Sequence, residues 1–165
     1  MFSAGLLERA EVLIGLYRAR GLMLVTAESC TGGLVAGLIT SIPGSSDVFE
    51  RGFVTYSNRA KEETLGVDAG ILATSGAVSA ETARAMAEGA LIHAQAQIAL
   101  AVTGIAGPGG GSAAKPVGLV YFGCGSPDAM TILEQRFGDI GRTEVRLAAV
   151  SVALDLLREA VERSA

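Results

Sequence analysis

The strongest limit on how this chain folds comes from one stretch, in which a short apolar run is followed by a turn of small residues and then by a second apolar segment. Residues 22–26 are apolar and bounded by a turn, which is typical of a strand covered on both faces. Residues 27–33 hold Ser, Thr and Gly, and residues 31–40 have a helical pattern. The sequence predicts a strand-to-helix turn, and the first N–H groups of its helix lack partners within the helix. Such groups can bind an anion or a developing oxyanion.

Segments with helical periodicity alternate with short apolar segments along the rest of the chain. Helices are predicted over residues 6–20, 58–65, 80–93 and 143–161, with one helical turn at 71–74. Strands are predicted over the second half of residues 48–56 and over 98–102, 117–122 and 130–137. This order favours the α/β class: one three-layer α/β/α domain over residues 1–165, with a mostly parallel or mixed central sheet.

Charge and composition argue against several classes of protein. The formal net charge is −4 with interspersed signs, and the chain has three Tyr, five Phe and no Trp. It therefore offers neither a basic stripe nor a stacking array for nucleic acid. No apolar run approaches the roughly 20 residues of a membrane helix, and the first residues lack the features of a secretory signal. We expect a cytoplasmic protein without a nucleic-acid or membrane partner.

Cofactor and metal motifs are missing from the sequence. Cys30 and Cys124 give neither a disulfide framework nor the spacing of metal ligands, and they fit a reducing compartment. The glycine-rich residues 103–112 lack the residue order of a P-loop and of a dinucleotide-binding fold. We therefore expect no metal and no other cofactor.

Three loops with hydroxyl, basic or glycine residues follow predicted strands, at residues 27–33, 56–61 and 103–112. In an open α/β sheet, ligands bind beyond the carboxyl ends of the strands. We therefore expect these loops to meet at one cleft.

The chemistry available to Ser29 depends on the bases that the chain offers. Ser29 itself is a nucleophile, a helix cap or a ligand contact. His93 lies at a helix end, where a structural role is expected, so a Ser-His-Asp triad is disfavoured. Lys61 is either a solvated helix residue or a base whose pKa is lowered by burial. Tyr56 is either an ordinary aromatic residue or a group that relays the proton or holds the lysine.

Four further residues near these loops have simpler interpretations. Glu28 does not share the direction of Ser29 if the strand includes both, so it is expected to brace a loop. Cys30 is expected to be a small buried residue, because nothing in the sequence activates its thiolate. Arg142 and Arg146 flank the start of the last helix, where they either bind an anion or are solvated.

Six motifs follow one another along nearly the whole chain. They are Ala27-Glu28-Ser29-Cys30-Thr31-Gly32-Gly33, Gly44-Ser45-Ser46, Gly52-Phe53-Val54-Thr55-Tyr56-Ser57-Asn58-Arg59-Ala60-Lys61, Gly76-Ala77-Val78-Ser79, Thr103-Gly104-Ile105-Ala106-Gly107-Pro108 and Lys115-Pro116-Val117-Gly118. In order and spacing they closely resemble the CinA C-terminal domain family, whose stand-alone members are nicotinamide-nucleotide amidohydrolases of the PncC type.

The resemblance implies hydrolysis of nicotinamide mononucleotide to nicotinate mononucleotide and ammonia, without a metal, and it suggests a homodimer. Its motifs make Ser29 the nucleophile, Lys61 the general base and Tyr56 a relay or positioning group. The expected substrate-binding residues are Thr31, Gly32 and Gly33, whose N–H groups would receive the oxyanion, together with Thr103, Gly104 and Arg142. The family's phosphate-binding arginine, usually in a Gly-Asp-Arg setting, falls on Arg142, where this chain reads Gly138-Asp139-Ile140-Gly141-Arg142.

Two other functions are compatible with the sequence. One is a catalytically silent nucleotide-binding module of a competence or DNA-damage-inducible pathway, which keeps the pocket without turnover. The other is a structural or oligomerisation domain, in which neither Ser29 nor Lys61 lies near a cleft.

Overall fold

The fold is built on a five-stranded mixed sheet, and the computed structural model describes residues 2–164. The strands are β1 (Leu24–Glu28), β2 (Phe49–Val54), β3 (Ile98–Gly104), β4 (Leu119–Ser126) and β5 (Ala129–Arg136). Their order across the sheet is β2-β1-β3-β4-β5. β1 is parallel to both of its neighbours, whereas β4 is antiparallel to β3 and β5. The carboxyl ends of β1, β2 and β3 therefore lie at one edge of the sheet.

Helices cover both faces of the sheet. They are α1 (Ala4–Arg20), α2 (Leu34–Thr40), α3 (Asn58–Leu65), α4 (Ala69–Thr74), α5 (Ala80–Ile92) and α6 (Arg142–Arg163), with a short 3-10 turn at Ser45–Asp47. α1, α2 and α6 contribute to the core on one face, and α3, α4 and α5 to the core on the other. The predicted three-layer α/β/α architecture with a mixed sheet is confirmed. Within the described residues, no helix has the length and apolarity to cross a membrane.

The turn after β1 is longer than the sequence pattern predicts. β1 extends to Glu28, and α2 begins at Leu34 rather than at Thr31. Gly32 and Gly33 have φ angles of 59° and 91°, in the left-handed region that glycine adopts most readily, so the chain cannot be helical there. The strand predicted to start at residue 117 starts at Leu119, because Gly118 also has a positive φ angle of 88°.

Side chains along β1 point alternately to the two faces of the sheet. Leu24 belongs to the core under α1, α2 and α6, whereas Val25 and Ala27 belong to the core under α3, α4 and α5. The ladder continues one residue past the strand, because the N–H of Ser29 donates to the carbonyl oxygen of Val102 at 2.9 Å. Glu28 and Ser29 therefore point to opposite faces of the sheet.

The close packing of α3 against α5 can be tested by substituting two helical glycines. A Cβ atom at Gly89 in α5 would overlap the carbonyl oxygen of Leu65 at the end of α3, whereas a Cβ atom at Gly15 in α1 meets nothing within 4 Å. We expect Gly89→Ala to lower the free energy of unfolding by about 1–3 kcal/mol through overpacking. The control, Gly15→Ala, is expected to raise it by roughly 0.5–1 kcal/mol, because alanine restricts the unfolded chain. Urea unfolding measures both, and a stabilising Gly89→Ala would contradict the packing described.

Candidate active site

A cavity of about 260 Å³ lies beyond the carboxyl ends of β1, β2 and β3. Each of the three predicted loops contributes to its lining: Ser29 and Cys30 from the first, Tyr56, Asn58 and Lys61 from the second, and Thr103, Gly104, Ile105, Ala106, Gly107, Gly109 and Gly110 from the third. Arg142, the first residue of α6, completes one side. The expected convergence of the loops on one cleft is confirmed.

The amine of Lys61 reaches Ser29 inside the protein. Its Nζ lies 2.9 Å from Ser29 Oγ and donates to the carbonyl oxygen of Thr55 at 2.7 Å. Lys61 is only 1% exposed. The helix start explains this placement, because the hydroxyl of Ser57 caps α3 by accepting from the N–H of Ala60 at 3.0 Å. Lys61 then lies in the first turn of α3, from which its amine reaches the carbonyl oxygen of Thr55.

Burial lowers the pKa of Lys61 from its ordinary value of 10.5, because a charged amine is poorly solvated there. The nearby Cys30 opposes this shift to a smaller extent. Among the described residues that line the cavity there is no Asp or Glu to stabilise the ammonium form. A neutral amine can donate to Thr55 and accept the proton of the Ser29 hydroxyl, so the geometry suits a Ser-Lys pair.

The alternative nucleophile and the alternative base are both unsuited to chemistry here. Cys30 is 5% exposed, and burial raises the pKa of its thiol to about 12. It therefore stays protonated near neutral pH, as expected of a small buried residue. His93 caps the end of α5, where Nδ1 lies 2.8 Å from the carbonyl oxygen of Gly89. It is not among the residues that line the cavity.

Glu28 holds the start of α2 from the opposite face of the sheet. Its fully buried carboxylate accepts hydrogen bonds from the N–H groups of Gly33 at 3.1 Å, Val35 at 3.1 Å and Ala36 at 2.9 Å. The helix dipole favours a negative charge at this end. The expectation that Glu28 braces a loop is confirmed by these three contacts.

These contacts correct the expected role of Gly32 and Gly33 as oxyanion donors, whereas that of Thr31 stays a prediction. The N–H of Gly33 is bound to Glu28, and the N–H of Gly32 donates to the carbonyl oxygen of Ser29 at 3.0 Å. Neither is free for an oxyanion, and none of the three residues lines the cavity. The N–H groups of Cys30 and Thr31 make no hydrogen bond within residues 2–164. The sequence alone could not show which N–H groups are already bonded, because the contact between the Glu28 carboxylate and the start of α2 forms only in the folded chain.

Tyr56 contacts Arg142 rather than the lysine. Its hydroxyl accepts from Nη2 of Arg142 at 2.7 Å, while Nη1 of Arg142 donates to the carbonyl oxygen of Gly107 at 2.8 Å. Tyr56 is 59% exposed and lies at the mouth of the cavity. Of the alternatives for Tyr56, holding Lys61 is contradicted, since the carbonyl of Thr55 has that position. A role of Tyr56 in relaying the proton stays a prediction.

Two other predicted site residues have structural partners as well as a place in the lining. The hydroxyl of Thr103 donates to the carbonyl oxygen of Ala77 at 2.6 Å, so it joins two walls of the cavity. A Cβ atom at Gly104 would lie 2.8 Å from the carbonyl oxygen of Leu119, so only glycine fits between β3 and β4 there.

Arg146 contacts the turn that carries Ser29, and the sequence left its role open between anion binding and solvation. Its Nε donates to the carbonyl oxygen of Cys30 at 3.1 Å, and its Nη2 donates to that of Thr31 at 2.9 Å. The spacing of four residues from Arg142 on one helix was the available signal, since it places both on one face. What that face contacts depends on the packing of α6 against the turn after β1.

The charge and ligand types of the lining limit what the cavity can bind. Lys61 and Arg142 are its basic residues, and no carboxylate lines it in the described part of the chain. Residues 2–164 contain no group of three or more His, Cys, Asp or Glu side chains that could hold a metal ion. Because Arg142 carries a positive charge, its side of the cavity is suited to an anionic group of a ligand.

A scan against protein-family models matches residues 7–161 to the CinA C-terminal domain. This chain belongs to the CinA C-terminal domain family. Two relatives of this CinA-family chain are a CinA-like protein of Geobacter sulfurreducens, 52% identical over 143 residues, and one of Synechococcus sp., 50% identical over 150 residues. These matches cover 87% and 90% of the chain but only 34% and 36% of the relatives. The chain thus spans about a third of their length.

Solved structures of the CinA family have the same fold over nearly the whole chain. The competence/damage inducible protein CihA of Agrobacterium tumefaciens is 53% identical with a TM-score of 0.95, and the match covers 97% of this chain and 98% of that one. A CinA superfamily protein of Escherichia coli is 31% identical with a TM-score of 0.89, covering 96% and 93%. The resemblance predicted from the six motifs is therefore confirmed.

Because its amine is buried, Lys61 makes the free energy of unfolding depend on pH. Between its lowered pKa in the folded protein and 10.5 in the unfolded chain, the unfolded state binds more protons, so raising the pH stabilises the fold. We expect the free energy of unfolding of the wild type, minus that of Lys61→Met, to rise with pH through this interval and to be flat below it. Denaturant unfolding at a series of pH values measures it. Lys115→Met removes the other lysine as a control, and a difference that falls with pH would contradict the assignment.

Proposed function

We propose that this domain hydrolyses the carboxamide of nicotinamide mononucleotide, giving nicotinate mononucleotide and ammonia. The observation that carries the proposal is the 2.9 Å contact between Lys61 Nζ and Ser29 Oγ, buried at the wall of a cavity. A lysine whose pKa is lowered by burial is suited to removing a serine proton. Membership of the CinA C-terminal domain family supports the same reaction class through the resemblance of the motifs.

The reaction follows from the two side chains in two steps. Neutral Lys61 takes the hydroxyl proton of Ser29, and Oγ bonds to the carboxamide carbon to form a tetrahedral intermediate. Lys61 returns the proton to the amide nitrogen, the C–N bond breaks, and ammonia leaves an ester on Ser29. Lys61 then removes a proton from water, whose oxygen attacks the ester carbon. The C–O bond to Ser29 breaks, the proton returns to Oγ, and the carboxylic acid that is released gives its remaining proton to solvent, which leaves the nicotinate carboxylate.

Main-chain donors next to the nucleophile are suited to the negative charge that forms in each step. Thr31, Gly32 and Gly33 were the expected donors, but the N–H groups of Gly32 and Gly33 are already bonded within the protein. The N–H groups of Cys30 and Thr31 follow Ser29 directly and have no partner within residues 2–164. We assign them to the oxyanion, because unpaired N–H groups beside a reacting carbonyl stabilise the charge as it develops.

The phosphate of the substrate is assigned to Arg142 at the mouth of the cavity. Its guanidinium contacts Tyr56 and Gly107 through two nitrogens, so its position is fixed from two sides. A guanidinium forms strong paired hydrogen bonds with phosphate oxygens, and no carboxylate in the described lining competes. Thr103 and Gly104 line the wall between this end and Ser29.

Catalysis without a metal or other cofactor and assembly as a homodimer remain predictions of the family resemblance. Ammonia release that is unchanged by a chelator supports the first. Light scattering at twice the 16.8 kDa of one chain supports the second. Tight calorimetric binding of the nucleotide with no turnover would instead favour the catalytically silent binding module.

Removing either member of the pair tests the reaction. We expect Ser29→Ala and Lys61→Met each to lower kcat for ammonia release from nicotinamide mononucleotide by about 10³-fold or more, because each removes a group that acts in both steps. Ser46→Ala and Lys115→Met are the matched controls in exposed or loop positions and should keep wild-type rates. Undiminished release in both site variants would exclude the mechanism.

Arg142→Gln separates phosphate binding from chemistry. We expect it to raise KM for nicotinamide mononucleotide about 10- to 100-fold, because a charge-assisted contact to the phosphate is lost. KM for nicotinamide riboside, which lacks the phosphate, should stay within about twofold of the wild-type value. Steady-state kinetics with both substrates provides the measurement, and equal effects on the two would contradict the assignment of the phosphate to Arg142.

A further inference from the structure

Two charged side chains hold the turn that carries Ser29, and they do so from different directions. Arg146 donates to the carbonyl oxygens of Cys30 and Thr31, at 3.1 and 2.9 Å. On the other side, the Glu28 carboxylate accepts from the N–H groups at the start of α2. One residue thus binds acceptors of the turn and the other binds donors. Neither Arg146 nor Glu28 lines the cavity.

The turn between these contacts is also restrained by its own backbone, because the N–H of Gly32 donates to the carbonyl oxygen of Ser29 at 3.0 Å and the N–H of Ser29 donates to that of Val102 at 2.9 Å. Gly32 and Gly33, both with positive φ angles, have no side chain to pack against the protein. The hydroxyl of Thr31 is buried without a hydrogen-bond partner among the described residues. A Cβ atom at Gly32 would lie 3.2 Å from Nη2 of Arg146, so the guanidinium packs closely over the turn. The contacts of Arg146 therefore add a side-chain restraint on the carbonyl groups of Cys30 and Thr31.

The position of Ser29 matters because its Oγ has to stay in reach of Lys61. The two atoms are 2.9 Å apart, and Lys61 is independently fixed by Thr55. A displacement of about 1 Å at a reacting group can cost a factor of about 10² in rate. The N–H groups of Cys30 and Thr31 belong to the same two residues whose carbonyls Arg146 binds. Movement of those residues would displace the assigned oxyanion donors as well.

We propose that Arg146 is a positioning residue for Ser29: it fixes the orientation of the Cys30 and Thr31 peptide groups, while Glu28 anchors the far end of the turn. This inference rests on the proposed function and deepens it. Arg142 and Arg146 then have separate tasks although they lie one helical turn apart on α6. Arg142 contacts the mouth of the cavity, and Arg146 contacts the backbone behind the nucleophile.

The test compares Arg146→Ala with Arg158→Ala, since Arg158 lies on the same helix, is exposed and pairs with Glu162. We expect Arg146→Ala to lower kcat about 10- to 100-fold and to leave KM for nicotinamide mononucleotide within about twofold. Arg158→Ala should keep the wild-type kcat. Guanidinium ion at a concentration below denaturing is expected to restore part of kcat in Arg146→Ala alone. Arg146→Lys, which keeps the charge but not the fork of two donors, should lie between Arg146→Ala and the wild type.

A second readout does not depend on the substrate. A fluorophosphonate reacts with an activated serine, and mass spectrometry locates the label. We expect Arg146→Ala and Glu28→Gln to slow the labelling of Ser29 by about the same factor as they lower kcat. The control is Glu81→Gln at the start of another helix, which should label at the wild-type rate. Circular dichroism on each variant restricts the comparison to folded protein.

The outcomes separate this inference from the proposed function. Slower labelling without ammonia release in the wild type would support the positioning role and overturn the proposed substrate. Labelling as fast in Arg146→Ala as in the wild type would overturn the positioning role, as would a wild type that does not label at Ser29. An increase in KM with unchanged kcat would also overturn it, because it would place Arg146 in substrate binding.

Discussion

The site depends on one buried amine that has no carboxylate partner among the described residues. Lys61 is held by a carbonyl oxygen and a hydroxyl, both of which it can contact in the neutral form. Burying a charged amine without a counter-ion is unfavourable, so the protein lowers the pKa of Lys61. The folded chain therefore loses stability at a position where we propose a base, and shifted pKa values of this kind are common at functional sites.

The surrounding elements keep this arrangement in place through backbone contacts. α3 brings Lys61 to the sheet because Ser57 caps its start and Gly89 lets its end approach α5 closely. The start of α6 joins the three loops of the cavity: Arg146 contacts the turn after β1, and Arg142 contacts the loops that contain Tyr56 and Gly107. The most sequence-distant helix thus completes a site whose proposed nucleophile lies near the first strand.

The motifs of the sequence were sufficient for the fold class and for the family. Alternating strand and helix patterns predicted the three layers, because buried strands and amphipathic helices have different apolar periods. Loop positions after β1, β2 and β3 predicted the cleft. Element ends were less predictable: α2 begins three residues later than its pattern suggests, since the apolar pattern does not register the left-handed glycines at Gly32 and Gly33.

The sequence by itself determined which groups are available: Ser29 at the first strand-to-helix turn, two lysines, and a single histidine expected at a helix end. Only the tertiary structure decided how they are used. It placed Lys61 rather than Lys115 beside Ser29, bound the start of α2 to Glu28, and directed Tyr56 to Arg142 instead of to the lysine. The bond between Arg142 and Tyr56 joins residues 86 positions apart, and the bond from Arg146 to Cys30 joins residues 116 positions apart. Local periodicity has no information about such pairs, because they form only when separate elements pack together.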